Sequence, residues 1–254
     1  MSARPGLALL LAGLLGGCYR GPAPDANPPA AGFDLAGSSE RAIQIADRTM
    51  RAMGGRRRWD QTRVIAWNFL GRRRLMWDKH AQTVRIEYLD EGPALDVALH
   101  LDTRAGRAWR DGVAVTAPGE LEPLLEAAYR HWVNDSYWLV MPYKLKDSGV
   151  TLHDLGERSV GARTFDVLGL TFAGVGVTPH NRYEVLVSRD RALVEQWSWF
   201  ENAADPAPRF TLPWDDWRSY GGILLSGKRG DQRLTEIAVL DAPPPGMLEL
   251  PRGG

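Results

Sequence analysis

Between Ser38 and Met53 apolar residues recur every three or four positions. Ile43, Ala46, Met50 and Met53 make one stripe, while Arg41, Gln44, Asp47 and Arg51 face away. That period predicts an amphipathic helix. Ser38 or Ser39 can cap its start, Glu40 lies in its first turn, and Gly54-Gly55 can end it in a left-handed turn. After Gly55 the period falls from 3.6 to 2. Ile65, Trp67 and Phe69 alternate with Ala66 and Asn68, and Leu75 and Trp77 repeat the pattern beyond Gly71, which predicts a hairpin. Val84, Ile86 and Tyr88 alternate with Arg85 and Glu87; Leu95, Val97, Leu99 and Leu101 alternate with Asp96, Ala98 and His100. Asp111-Gly112, a strong turn dipeptide, centres a further hairpin from Gly106 to Val115. Each segment reads as an antiparallel strand with one buried and one wet face.

Pro118 to about Tyr137 interrupts the alternation. Leu121, Leu124, Leu125, Ala128 and Trp132 return to helical spacing, as one helix or a broken pair. Asn134 through Leu145 is apolar and aromatic without clean alternation, and Pro142 excludes a central strand there. Strands resume at Val150. Phe165, Val167 and Gly169 share a face, as do Tyr183, Val185 and Val187. Leu193, Trp197 and Trp199 follow the loop residues Arg189-Asp190. Trp214, Trp217 and Tyr220 lead into Gly221-Gly222-Ile223-Leu224-Leu225; Leu234 to Leu240 is the last strand, and Pro243-Pro244-Pro245 ends it. About ten strands and two helical regions, with no β-α-β alternation, predict an α+β fold: an antiparallel sheet with helices covering one face. The pattern leaves open one curved half-barrel or two packed sheets.

Ahead of this body, Arg4 precedes an unbroken apolar and glycine stretch from Gly6 to Gly17. A short basic region, an apolar core of about 7–15 residues and small residues at its end read as a secretory signal, too short to span a bilayer. Leu15-Gly16-Gly17-Cys18 resembles the lipobox of bacterial lipoproteins, in which the cysteine is acylated and becomes the first residue of the mature chain. The competing reading is an ordinary signal with a chance cysteine, or a membrane-anchored helix. The lipoprotein reading makes residues 1–17 a signal peptide and Cys18 a lipid anchor, and an Asp is absent at Tyr19, which leans toward the outer membrane. Tyr19 to about Gly37 carries Pro22, Pro24, Pro28 and Pro29 among alanines and glycines and is expected to be a flexible tether over residues 18–37. Residues 38–254 are then a single β-rich domain.

Acidic and basic residues balance at 31 each, which argues against a nucleic-acid partner. Cys18 is the only cysteine, so no disulfide staples the body and the core must hold it alone.

The order of lipobox, tether, helix ending in Gly-Gly, meander, inserted helix and second meander resembles the LolA/LolB-like group of periplasmic lipoprotein carriers and related uncharacterised lipoproteins. The likeness rests on Ala52-Met53-Gly54-Gly55, on the aromatic block Asn134-Asp135-Ser136-Tyr137-Trp138-Leu139-Val140-Met141-Pro142-Tyr143-Lys144-Leu145, and loosely on Trp217-Arg218-Ser219-Tyr220-Gly221-Gly222-Ile223-Leu224. It implies a half-open barrel whose concave apolar face, lidded by helices, holds acyl chains. It also implies a role in handling lipid or lipoprotein on the periplasmic face of the envelope, and it supplies no mapped ligand residue.

The residues show no catalytic constellation, and no metal or cofactor is expected. There is no Gly-x-Ser-x-Gly elbow and no His-Glu-x-x-His helix, and His80, His100, His131, His153 and His180 are isolated in sequence. Gly222 to Arg229 falls one residue short of a P-loop and is strand-like, so it reads as strand and turn. The triplets Arg56-Arg57-Arg58 and Arg72-Arg73-Arg74 read either as a cationic rim for lipid phosphates or as solvated turns. Ten tryptophans are the last candidate constellation. Trp67, Trp77, Trp132, Trp138, Trp197 and Trp199 either line an apolar ligand cavity or fill a core. The expected functions follow that split: an anchored envelope lipoprotein binding a lipid or acyl chain, or a non-catalytic structural lipoprotein that meets other envelope proteins.

Overall fold

A computed structural model describes residues 26–89, 92–174, 176 and 178–247. Cys18 and the expected signal peptide, residues 1–17, lie outside them.

The first helix, α1 (Glu40–Ala52), starts where its cap predicts: the Ser39 hydroxyl accepts from the Ala42 N–H at 3.2 Å. Its buried face is Ala42, Ile45, Ala46, Thr49 and Met50, so Ile43 sits at the edge of the stripe rather than its centre. A second short helix, α2 (Arg56–Gln61), follows at once. The first meander runs β1 (Val64–Phe69), β2 (Arg73–Asp78), β3 (Thr83–Tyr88), β4 (Leu95–His100), β5 (Gly106–Arg110) and β6 (Val113–Val115). Then α3 spans Pro118–Val140 as one helix, closing in a 3₁₀ turn at Met141–Lys144. The second meander is β7 (Val150–Val160), β8 (Arg163–Phe172), β9 (Arg182–Ser188), β10 (Val194–Phe200) and β11 (Phe210–Pro213). The chain ends with β12 (Asp215–Tyr220), β13 (Ile223–Arg229) and β14 (Gln232–Leu240).

The α+β class and antiparallel pairing are as the periodicity predicted. The strand count is higher: among the described residues there are fourteen, in two hydrogen-bonded sheets. Nine are ordered β12-β13-β14-β1-β2-β3-β4-β5-β6, and five β11-β10-β9-β8-β7. Register explains the first sheet's buried face. Ile65 pairs with Trp77, Trp77 with Val84 and Val84 with Leu99; Trp67 pairs with Leu75, Leu75 with Ile86 and Ile86 with Val97. Two unbroken apolar rows result, the unit of sheet stabilisation, and Leu125, Ala128, Leu139 and Val140 of α3 pack with them in one core. A second core joins Ala42, Ile45 and Ala46 of α1 to Leu152, Leu168, Val185 and Trp197 of the smaller sheet.

The expected tether is shorter than its composition suggests. Phe33 is buried in the second core. Ala30 N–H donates to the Lys146 carbonyl at 2.9 Å, Asp34 N–H to Val150 at 3.0 Å, and Gly149 N–H to Gly32 at 2.8 Å. One aromatic anchor and a ladder of backbone bonds make residues 27–34 a strap docked on the body.

Candidate functional site

Along α3 a second stripe runs beside the one facing the large sheet: Tyr129, Trp132, Val133, Ser136 and Tyr137. Opposite it, the small sheet presents Val150, Phe172, Tyr183, Trp197, Trp199 and Phe210. Between them lies a cleft of about 570 Å³, within the range of about 300–1,000 Å³ typical of small-molecule sites.

The walls are aromatic and mutually braced. Tyr183 stacks on Trp197 at 5.5 Å and Trp199 on Phe210 at 5.5 Å, while Tyr137 leans on Tyr183 at 5.3 Å. Trp138 stands between the two sheets, edge-on to Trp197 at 5.2 Å and to Phe69 at 5.8 Å. Arg229 fixes it from behind. This fully buried guanidinium donates to the Trp138 carbonyl at 2.6 Å and lies 3.3 Å over the Trp214 ring. On the far side of α3, Arg73 grips the buried Asp135 with two bonds of 2.7 and 3.0 Å. Burial holds the Asp135 carboxyl above its ordinary value, against the downward pull of Arg73. The helix is thus pinned to the large sheet by charge and to the small one by aromatic contact.

The cleft itself is close to uncharged. Burial pushes the Tyr183 phenol up to about 12 and the Tyr137 phenol well above its ordinary value, so both stay neutral. Lys144 and Asp147 line one end as an ion pair at 2.5 Å, with Ser148 beside them. Asn181 lines the other end; its amide, set to donate to the Glu201 carbonyl, accepts from Trp199 Nε1 at 2.8 Å. The Tyr137 hydroxyl and the Trp132 and Trp197 indole N–H groups are buried without a hydrogen-bond partner among the described residues. Apolar walls between polar ends suit a long apolar body rather than a multiply charged one.

The structure divides the six candidate tryptophans. Trp132, Trp138, Trp197 and Trp199 line the cleft. Trp67 and Trp77 do not: they lie in the core under the large sheet, Trp77 edge-on to Trp59 at 6.5 Å and to Trp132 at 5.5 Å. On a sheet with a helix over its inner face, these two rings meet that helix instead of a ligand. Phe172, Tyr183, Phe210, Val133 and Tyr137 complete the cleft and were not singled out in the sequence. Tyr129, Val133 and Tyr137, four residues apart, form a helical stripe of their own that the spacing of the helical segment could have shown.

Other candidates resolve structurally. Gly222 to Arg229 is a turn and strand. In the second arginine triplet Arg73 holds Asp135, and Arg74 holds Glu87 and Glu236. Among the described residues no three His, Cys, Asp or Glu side chains gather as a metal site.

No family model matches the chain, and no curated protein matches it significantly. Solved structures similar to it include a DUF1329 family protein from Desulfovibrio piger, at 12% identity and TM-score 0.43 over 79% of this chain and 94% of that one. A domain described as an outer membrane lipoprotein-sorting protein, from Vibrio parahaemolyticus, follows at 9% and 0.36 over 79% and 90%. A LolA superfamily protein from Nitrosomonas europaea stands at 9% and 0.33 over 80% and 94%. The last two carry descriptions of the grouping that the sequence resemblance named. All three fall below a TM-score of 0.5.

Proposed function

We propose that this chain is a lipid-anchored envelope protein, acylated at Cys18 and held at the periplasmic face of the outer membrane, that binds the acyl chain of a lipid between α3 and the small sheet. The observation that carries the reading is the cleft: about 570 Å³ of space with aromatic walls. A structural lipoprotein has no use for that space. Binding an apolar chain there calls for no catalytic group, and none is assigned.

The magnitudes favour an acyl chain over a smaller apolar molecule. About 14 buried methylenes give roughly 11 kcal/mol of gross transfer energy. At least about 4 kcal/mol is lost to association. The remainder is at most about 7 kcal/mol, a Kd no tighter than about 10 μM; a ligand half as long would barely bind.

The test is titration of the full chain carrying Cys18→Ser with a fluorescent fatty acid. Saturable one-to-one binding is expected, weakened about tenfold or more by Val133→Glu, which places a charge in the apolar cleft. Trp67→Ala, in the filled core, is expected to cost about 3–5 kcal/mol of stability in chemical denaturation. Probe binding that is absent, or indifferent to Val133→Glu, overturns the reading.

A further inference from the structure

The first arginine triplet has a place in the fold that the cleft does not explain. It forms the start of α2, at the corner where α1 ends. Arg56 Nη1 donates to the Pro28 carbonyl at 3.1 Å, so the corner holds the point from which the strap runs back toward Cys18. Nine residue steps separate Cys18 from Asn27, and even fully extended they reach no more than about 30 Å. An anchor at Cys18 therefore keeps this corner within about 30 Å of the bilayer surface.

Its net charge is positive: three arginines of α2 face one carboxylate, Asp60. Arg56 pairs with Asp60, but Arg51, Arg57 and Arg58 are exposed and make no ion pair among the described residues. Arg58 lies over the Gly221-Gly222 turn, its Nε 2.9 Å from where a Cβ at Gly222 would stand. Beneath α2 the Lys79 amine sits 3.5 Å over the Trp59 ring and donates to the Trp59 carbonyl at 2.5 Å. The chain as a whole is neutral, so this positive corner is a local feature and not the expression of a basic protein.

We infer that the α1–α2 corner, through Arg51, Arg57 and Arg58, is a docking surface for the anionic headgroups of the membrane that carries the lipid anchor. The inference rests on the proposed acylation of Cys18. A basic patch beside a lipid anchor adds a second membrane contact to the first, and here it would hold one face of the body against the bilayer instead of leaving it to swing on the anchor. The same strap bonds to the segment 146–150, of which Asp147, Ser148 and Val150 line the cleft. The polar end of the cleft, at Lys144, Asp147 and Ser148, thereby lies on the anchored side.

The test uses the full chain with Cys18→Ser, so that no acyl chain contributes, and sedimentation with vesicles. Binding is expected to vesicles containing about one third phosphatidylglycerol in phosphatidylcholine, not to phosphatidylcholine alone, and to weaken as salt shortens the Debye length. Arg57→Glu with Arg58→Glu is expected to weaken it about tenfold or more, and Arg57→Lys with Arg58→Lys to preserve it. The same reversal at Arg130 and Arg233, exposed cations elsewhere, is expected to leave binding intact. Equal binding to both vesicles, an unaffected Arg57/Arg58 reversal, or an equal loss from the Arg130/Arg233 reversal overturns the inference; the first would leave the corner to an acidic protein partner. Fatty-acid titration of the same variants separates the outcomes, since the cleft is expected to bind normally whether or not the corner docks.

Discussion

A single lysine reports the electrostatics of the α1–α2 corner. Burial brings the Lys79 ammonium down from 10.5 to about 7; Asp60 opposes this, and the neighbouring Arg56 and Lys144 charges add to it. Between those two values the unfolded chain holds one proton more than the folded one. Stability is therefore expected to rise with pH across that window, by up to about 1.4 kcal/mol per unit, and to be at its lowest below pH 7. Lys79→Met keeps the stem on Trp59 and removes the charge. It is expected to be more stable than the parent at pH 7 and to show no such rise by pH 9. Urea denaturation at both pH values decides, and a parallel pH response in parent and variant contradicts it. Nothing in the sequence marks Lys79, because its burial comes from α2 folding over it. The tryptophans were half legible for the same reason: composition flagged all six, but only the partner element tells a ring facing α3 from one facing space.

Among the elements, the junction of α1 with β13 shows how far local signals reach. Gly54-Gly55 was readable as a helix stop, and both residues take positive φ, +112° and +84°. What could not be read is that their roles differ. A Cβ at Gly54 would stand 2.5 Å from the Gly222 carbonyl oxygen, whereas one at Gly55 would meet open space. Met53, next to them, accepts from Leu224 N–H at 3.0 Å and from the Tyr143 hydroxyl at 2.8 Å. Gly55→Ala is expected to cost about 1–2 kcal/mol for left-handed backbone alone. Gly54→Ala adds an overpacking cost of about 1–3 kcal/mol, because the offending atom is backbone and cannot move aside. Equal losses in chemical denaturation would contradict the tight junction. Helix and strand periods were legible wherever an element buries one face. They failed at α3, which buries two: its stripes overlap, so Asn134 to Leu145 looked patternless. They failed again at residues 27–34, where a proline-rich composition hid the anchoring Phe33.

For the molecule as a whole, α3 is the organising part. It closes the core of the nine-stranded sheet with one face and, with the other, stands off the five-stranded sheet far enough to leave the cleft. Antiparallel layout and the helical insert followed from residue patterning; the division into two sheets did not, since pairing between distant strands leaves no local trace. The most direct measurement is to purify the Cys18→Ser full chain and its Val133→Glu variant from bacterial cells and extract each for mass spectrometry. An acyl lipid retained in stoichiometric amount by the parent and lost from the variant is the predicted result. A parent chain that comes out clean and also ignores added fatty acid would contradict lipid binding in the cleft.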